Sequence, residues 1–483
     1  ALVQARAAAC GRAALPSSRA RTGRGAAPAQ PVPPVPRAAP PHAACRVSRS
    51  ALRLSATTLA TTTGREGWRS KAVASGSAED LSPPLERTPE ITGLPGLDAG
   101  GKVMLKNMTM EELEEFMVSI GERPQRALQV WRWMYKPGNL VRSFDDMEDV
   151  AAACRDKLSR VATLDSGLEL ADTRTDAGGT TKLTFRVKEG LPGAGSIVET
   201  VVIHMGDRIT LCVSSQLGCA LNCQFCFTGR MGLQGNLTTA QIVDQVVVAK
   251  RTYEQDLPPN ERLPIKNVVF MGMGEPLHND ENVIRAANAL TDPLGLGFGS
   301  RKVTVSTSGL VPAIRRFCEE SNVQLAVSLN ATTDEVRDWI MPVNRRWDLQ
   351  ELLGTLRELF PRGGAPGKPS GHHVLLEYIL LRGVNDSPGD AARLVEIAQS
   401  MQCKVNLIQF NPHPGTEFTP VGVEEARAFA KGIRAAGVVA TLRESKGDDE
   451  MAACGQLGAV AGGRAPPRIP APEKFRDAVA SIE

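Results

Sequence analysis

The sequence predicts an α/β protein: a full or partial (β/α) barrel, preceded by a small N-terminal helical domain and a short β connector. Three observations carry this. Between residues 101 and 165 the apolar residues recur at helical spacing; between 166 and 211 they alternate as in strands; after Cys226, apolar strand-like runs alternate some six times with helical stretches. Repeated strand–helix units bury a parallel sheet under helices, and enough of them curl into a barrel. The 483 residues allow about three units at roughly 150 residues each, although one large barrel can use most of them. The 42 % hydrophobic fraction suffices for a substantial core. No run of about 18 apolar residues occurs, which excludes a membrane-spanning helix.

In chain order, residues 1–65 hold ten arginines, no lysine and no carboxylate, the first acid being Glu66. The whole chain carries +3, but removing this arm leaves 46 basic against 53 acidic side chains, or −7. An Arg-, Ala- and Ser-rich, acid-free N-terminus without an apolar centre has the composition of an organelle transit peptide. Residues 1–70 are therefore expected to be such an address, for a plastid rather than a mitochondrion, and 71–100 a disordered linker. A basic tail that contacts nucleic acid is the competing reading.

Residues 101–165 form the helical domain, of RNA-binding type, with Thr109 placed to cap MTMEELEEFMVSIG. WRWMYK (131–136) alternates basic and aromatic groups in a way that suits RNA, although Val130, Trp133 and Met134 could equally share one core face. NRRW (344–347) offers a second basic and aromatic patch, with Arg345 and Arg346 the stronger candidates. The connector is 166–211. The barrel is 212–460, with strands expected at KNVVFMGM, KVTVSTS, QLAVSLN, HHVLLEYILL, KVNLIQF and GVVATLRE. A flexible loop is expected at 361–371 and a tail at 461–483.

Ten cysteines are too few and too unevenly spaced for a disulfide scaffold in so long a chain. Cys154, Cys318 and Cys403 read as buried thiols. Cys219, Cys223 and Cys226 form a C-x3-C-x2-C triplet on a loop after a strand. Three thiolates this close suit a cubane iron–sulfur cluster with one iron open to a small molecule. A zinc knuckle completed by His204 or Cys212 is the alternative. Met271-Gly-Met-Gly-Glu275 ends an apolar strand, where glycine admits a ligand close to the backbone.

Cys212, in TLCVSSQLGCALNCQFC, and Cys454, in GDDEMAACGQL, complete a pattern that resembles the RlmN/Cfr-type radical S-adenosylmethionine (SAM) RNA adenine methyltransferases, and most closely the RlmN type. Further matching stretches are IVETVVI, MGMGEPLHN, VTVSTSG, AVSLNA, MPVNRRW, EYILLRGVND and NLIQFNPHPG, over about residues 105–460. The resemblance implies a partial (β/α) barrel radical SAM core. It implies one 4Fe–4S cluster on Cys219, Cys223 and Cys226, and two SAM per turnover. Gly274, Glu275, Ser306, Ser328, Leu329, Asn330 and Asn411 are the implied SAM contacts. Asn330 departs from the histidine of many relatives.

Chemistry gives the implied mechanism its logic. Carbon 2 of adenine is electron-poor and cannot displace a methyl group from a sulfonium, whereas a thiolate can. By resemblance Cys454 takes the methyl group, a radical abstracts hydrogen from it, and the resulting methylene radical adds to carbon 2. Glu199 is the implied base for the ring proton, and Cys212 the thiol that resolves the adduct by disulfide formation. The expected substrate is adenosine in large-subunit (23S-type) ribosomal RNA, and also transfer RNA, in a position that can be extruded. An external electron donor such as flavodoxin or ferredoxin and a monomeric state are expected with it. Carbon-8 methylation and a non-catalytic Fe–S protein of ribosome assembly are the competing functions.

Overall fold

The computed structural model describes residues 96–364, 372–443, 451–458 and 465–479. The basic arm, the linker up to residue 95 and residues 365–371 of the expected flexible loop lie outside the described residues. The first elements are a two-residue strand β1 (Val103–Met104) and helices α1 (Met110–Ser119), α2 (Arg126–Tyr135) and α3 (Ala152–Val161). They close on β2 (Ala162–Thr163), which pairs in parallel with β1. The start of α1 is chemically specified. The Thr109 hydroxyl accepts from Glu112 N at 3.3 Å, and the Glu112 carboxylate accepts from Thr109 N at 2.9 Å, a reciprocal capping box.

A ten-stranded sheet organises the rest. Its strands are β3 (Leu168–Thr175), β4 (Thr181–Val187), β5 (Ile197–His204) and β6 (Ile209–Cys212), then, after a small hairpin of β7 (Gln216–Cys219) and β8 (Gly232–Asn236), β9 (Ile265–Phe270), β10 (Val303–Thr307), β11 (Gln324–Ser328), β12 (Val374–Leu380), β13 (Cys403–Gln409) and β14 (Ala440–Arg443). The spatial order is β14-β13-β12-β11-β10-β9-β6-β5-β4-β3. From β14 to β6 all neighbours run parallel, and β5, β4 and β3 continue the sheet antiparallel. β14 and β3 are its two edges, so the barrel is partial. The connector strands are thus an extension of the barrel sheet, joined to it where β6 pairs with β9.

Helices α4 (Thr239–Lys250), α5 (Asp280–Thr291), α6 (Val311–Glu320), α7 (Asp334–Ile340), α8 (Leu349–Leu359), α9 (Pro388–Gln399) and α10 (Val423–Ala435) separate the parallel strands, and α11 (Arg476–Val479) follows them. Their apolar faces and the β-branched strand interiors form one continuous core. β10, in the middle of the sheet, is buried throughout although it reads Val-Thr-Val-Ser-Thr.

The helical segment docks on α4 and α5 through polar contacts. Lys106 is buried and paired with Asp244 of α4, Asn107 Oδ1 accepts from Ala240 N at 2.7 Å, and Arg285 of α5 donates to Asn107 O at 2.6 Å. In α2, Val130, Trp131, Met134 and Tyr135 are buried, and the rings of Trp131 and Tyr135 meet edge to face at 4.6 Å. The core therefore takes the aromatic residues of WRWMYK, with Trp131 rather than Trp133 as its large member. Arg132 and Lys136 are the exposed ones.

Removing a fully buried tryptophan should cost about 3–5 kcal/mol. Trp131→Ala is expected to lower the denaturant midpoint of unfolding accordingly. A variant as stable as the wild type but deficient in RNA binding would return Trp131 to the RNA surface.

Candidate active site

The parallel strands deliver their chemistry to one rim. β6 ends on Cys212, β9 runs into Met271-Gly-Met-Gly-Glu275, β10 carries Ser306, β11 ends on Ser328, and β13 leads to Asn411. A cavity of about 120 Å³ at this rim is lined by Gly274, Glu275, Ser306, Ser328, Glu377 and Cys454, among others. A larger one of about 470 Å³ lies at the opposite strand ends, near Arg301, Gln324 and Lys404, away from these residues. Barrel enzymes build their sites at the C-terminal ends of the strands, so the smaller cavity carries the argument.

The glycine loop after β9 packs directly on β7. Gly274 has φ +99°, and a Cβ there would lie 2.5 Å from Gln216 Cβ, so only glycine fits. Gln216 Oε1 accepts from Glu275 N at 2.8 Å. The Glu275 carboxylate accepts from Leu277 N at 3.0 Å and Ser308 N at 2.7 Å. Burial raises its pKa above the usual carboxylate range, although these hydrogen bonds oppose the shift.

Cys219 closes β7, and Asn222 turns the chain with φ +50° towards Cys223 and Cys226. Burial raises all three thiols, that of Cys223 to about 12. Behind them the buried Arg337 guanidinium donates to Ser308 O at 2.6 Å, Leu329 O at 3.0 Å and Ser328 O at 3.1 Å. Its charge favours the Cys223 thiolate, while its own burial lowers it to about 10. Cys223 and Cys226 both oppose ionisation of Cys219, so the three lie within electrostatic reach of one another. Among the described residues, no three His, Cys, Asp or Glu side chains are gathered closely enough to ligate one ion. A cubane takes each thiolate on a different iron, so three neighbouring but separated thiols beside a buried cation fit a cluster better than a tetrahedral zinc. His204, the possible fourth zinc ligand, packs against Tyr253 with ring centroids 5.8 Å apart.

The tail seals this loop. Asn222 Nδ2 donates to Pro467 O and Ile469 N to Gln224 Oε1, each at 2.9 Å. Trp339 stacks on Phe475 with centroids 5.5 Å apart.

Cys212 and Cys454 form the second half of the site, and both are free thiols. Cys212 belongs to an apolar cluster with Val201, Ile203, Met273, Ala452 and Leu457. Burial, followed by the charge of Cys454, pushes it up to about 12, against the pull of Arg443. Burial also raises Cys454, which the same arginine opposes. Asn411 Nδ2 donates to Cys454 O at 3.1 Å. Glu199, buried on β5, pairs with Lys182 at 3.2 Å, and its second oxygen accepts from Gly458 N at 2.7 Å.

Five of the residues expected around the reaction therefore line one cavity: Gly274, Glu275, Ser306, Ser328 and Cys454. Three expected SAM contacts sit beside it. Leu329 N donates to Glu377 O at 3.0 Å. Asn330, at φ +54°, uses its side-chain oxygen to accept from Ile379 N at 2.9 Å, and Asn411 braces Cys454. Lys182, Arg337, Glu377 and Arg443 were not anticipated. Glu377 interrupts the apolar run VLLEYIL of β12, and a charge inside a covered strand is the signal that could have found it. Lys182, near the start of β4, and Arg443, at the end of β14, carry no such signal. Arg345 and Arg346 are exposed, and the Arg346 guanidinium lies 4.8 Å from the Trp347 ring centroid.

The chain matches two sequence families: the ribosomal RNA large subunit methyltransferase N-terminal domain over residues 103–164 and the radical SAM superfamily over 213–395. It is 45 % identical over 356 residues to the dual-specificity RNA methyltransferase RlmN of Geotalea uraniireducens, covering 74 % of this chain and 96 % of that protein. It is 43 % identical to the RlmN of Marinobacter nauticus over 359 residues, with 74 % and 93 % covered. Among solved structures, a radical SAM methyltransferase from Sphaerobacter thermophilus superposes with a TM-score of 0.65 at 39 % identity, covering 73 % of this chain and 98 % of that one.

Proposed function

The chain belongs to the RlmN family of radical SAM RNA methyltransferases, and from that membership we propose that it methylates carbon 2 of an adenosine in large-subunit ribosomal RNA and in transfer RNA. The observation that carries the reading is the pairing of two free thiols, Cys212 and Cys454, at the rim that also holds the Cys219–Cys223–Cys226 triplet. A protein that merely bound RNA through a cluster would need the triplet and neither of the other two.

Cys219, Cys223 and Cys226 would hold the 4Fe–4S cluster, and Gly274, Glu275, Ser306 and Ser328 would line the space for SAM. When bound, the cluster supplies the electron that cleaves SAM to a 5′-deoxyadenosyl radical. Cys454 takes a methyl group from a first SAM, gives up one hydrogen atom of that methyl to the radical from a second, and carries the carbon to the adenine ring. Glu199, paired with Lys182 at 3.2 Å, accepts the ring proton. The adduct returns its unpaired electron to the redox centre that supplied one, and the Cys212 thiolate attacks the Cys454 sulfur. An S–S bond forms as the S–C bond breaks, the electron pair of that bond stays on the ring-bound carbon, a proton from solvent completes the methyl group, and methylated RNA leaves. The disulfide thus belongs to turnover. Both groups are thiols at rest.

The acidic body makes long-range attraction to RNA weak, so binding falls to local basic residues such as Arg345 and Arg346. The arm, residues 1–70, serves as a plastid address and not as an RNA surface. Two experiments test this function. Cys212→Ala should accumulate a covalent protein–RNA adduct through Cys454, seen as a nuclease-sensitive mass shift; release of methylated RNA at the wild-type rate would remove Cys212 from the mechanism. Deleting residues 1–65 should leave methylation in vitro near the wild-type rate, and fusing residues 1–70 to a reporter should carry it into plastids. Lost activity, or a reporter that stays outside, would contradict the reading of the arm.

A further inference from the structure

Methyl loading requires Cys454 as a thiolate, because the thiol is a poor nucleophile. Burial holds that thiol above its ordinary range, so its proton needs an acceptor within the cavity. Glu199 is engaged by Lys182 and the Gly458 amide, and its proton belongs to the second half of the reaction. Another carboxylate in this wall has no role so far.

Glu377 lies within β12, in register with Ser328 on β11 and Asn406 on β13. It is only 5 % exposed and lines the same cavity as Cys454. A row of side chains holds it. Glu377 Oε2 accepts from Asn406 Nδ2 at 2.7 Å, and Asn406 Oδ1 accepts from Thr441 Oγ1 at 2.8 Å. Arg443, two residues beyond Thr441 and so on the same face of β14, is in register with Ile408, another residue of the cavity wall. Among the described residues, Arg443 and Cys454 interact electrostatically with Glu377, and the Glu275 carboxyl lines the same cavity.

We propose that Glu377 is the base that takes the Cys454 thiol proton when this cysteine is methylated, with Arg443 stabilising the thiolate as it forms. This rests on the methyl-cysteine mechanism above. In the step, the Cys454 S–H bond breaks and its proton moves to the Glu377 carboxylate. The thiolate electron pair forms a bond to the sulfonium methyl, and the methyl–sulfonium bond breaks with its electrons passing to the departing sulfur. S-methyl-Cys454, S-adenosylhomocysteine and a neutral Glu377 result, and the proton then passes to water.

The electrostatics agree with this assignment. A Glu377 carboxylate opposes ionisation of Cys454, so the pair favours a single negative charge, and moving one proton between them keeps that count constant. Burial pushes Glu377 up to about 7, against the Asn406 hydrogen bond and Arg443. The acceptor form is the carboxylate, so loading should rise with pH through about 7 and level off above it.

The test uses cluster-reconstituted, anaerobic protein. Single-turnover methylation of Cys454 is followed by peptide mass spectrometry across pH at saturating SAM, with SAM affinity measured separately. Glu377→Gln should slow loading on the order of 10²-fold, the typical contribution of a general base, abolish the inflection near 7 and leave SAM affinity unchanged. Glu377→Asp should restore part of the rate. A second readout omits SAM: iodoacetamide alkylation of Cys454 should slow in Glu377→Gln. Faster alkylation would mean that Glu377 only repels the thiolate, and reduced SAM affinity with normal loading would make it a SAM ligand; either result overturns the proposal. Wild-type protein that acquires no methyl group on Cys454 would instead overturn the mechanism on which the proposal rests.

Discussion

One carboxylate ties the site together. Glu199 projects from β5, in the antiparallel extension of the sheet, and accepts from the backbone of Gly458, in the segment that carries Cys454. Lys182 on the neighbouring strand neutralises it within the protein, at 3.2 Å. A buried carboxylate without such partners would cost several kcal/mol. Satisfied on both oxygens, it fixes where the end of the barrel returns over its beginning. The approach of Cys454 to Cys212, far apart in sequence, depends on that return. The Asn411 side chain supports the same segment from β13 through Cys454 O.

The electrostatics of the rim follow from its dryness. In a low dielectric an isolated thiolate or carboxylate is disfavoured, and the shifts here run that way: Cys212, Cys219, Cys223, Cys226, Cys454, Glu275 and Glu377 all rise through burial. Two arginines set the opposite bias. Arg337, fully buried, favours the Cys223 thiolate and binds the ends of β10 and β11 together through their carbonyls. Arg443 ends β14 and acts on Cys212, Cys454 and Glu377 alike. The site is thus prepared for cations and for proton exchange among neighbours, which suits a sulfonium ligand and a reaction that passes one sulfur through three bonding states.

Much of this was legible in the sequence, because local signals were strong. The six strands after Cys226 and the N-cap at Thr109 follow from periodicity and end chemistry. The cysteine triplet and the glycine loop sit where their spacing placed them, since strand ends and tight turns are specified over a few residues. What could not be read depends on distant pairing. That 166–211 extends the barrel sheet is decided by the contact of β6 with β9. The choice of Trp131 over Trp133 for the core is decided by the tertiary surroundings of α2, which helical spacing leaves open. Asn330 reads as a ligand by resemblance; that its side-chain oxygen also joins the end of β11 to β12 could be read only from the structure. Lys182, Glu377 and Arg443 show the converse: charges on strands carry information only once the face they point to is known.

The central claim is that the methyl carbon passes through Cys454 and loses a hydrogen there before it reaches carbon 2 of adenine. Isotopic analysis of the product tests it most directly. The enzyme is run over many turnovers with large-subunit RNA and SAM bearing a fully deuterated methyl group, and the digested nucleosides are resolved by mass spectrometry. The account predicts 2-methyladenosine whose new methyl group carries two deuterium atoms and one hydrogen. A product with all three deuterium atoms would show direct methyl transfer, and 8-methyladenosine would show the wrong ring position; either would contradict the account.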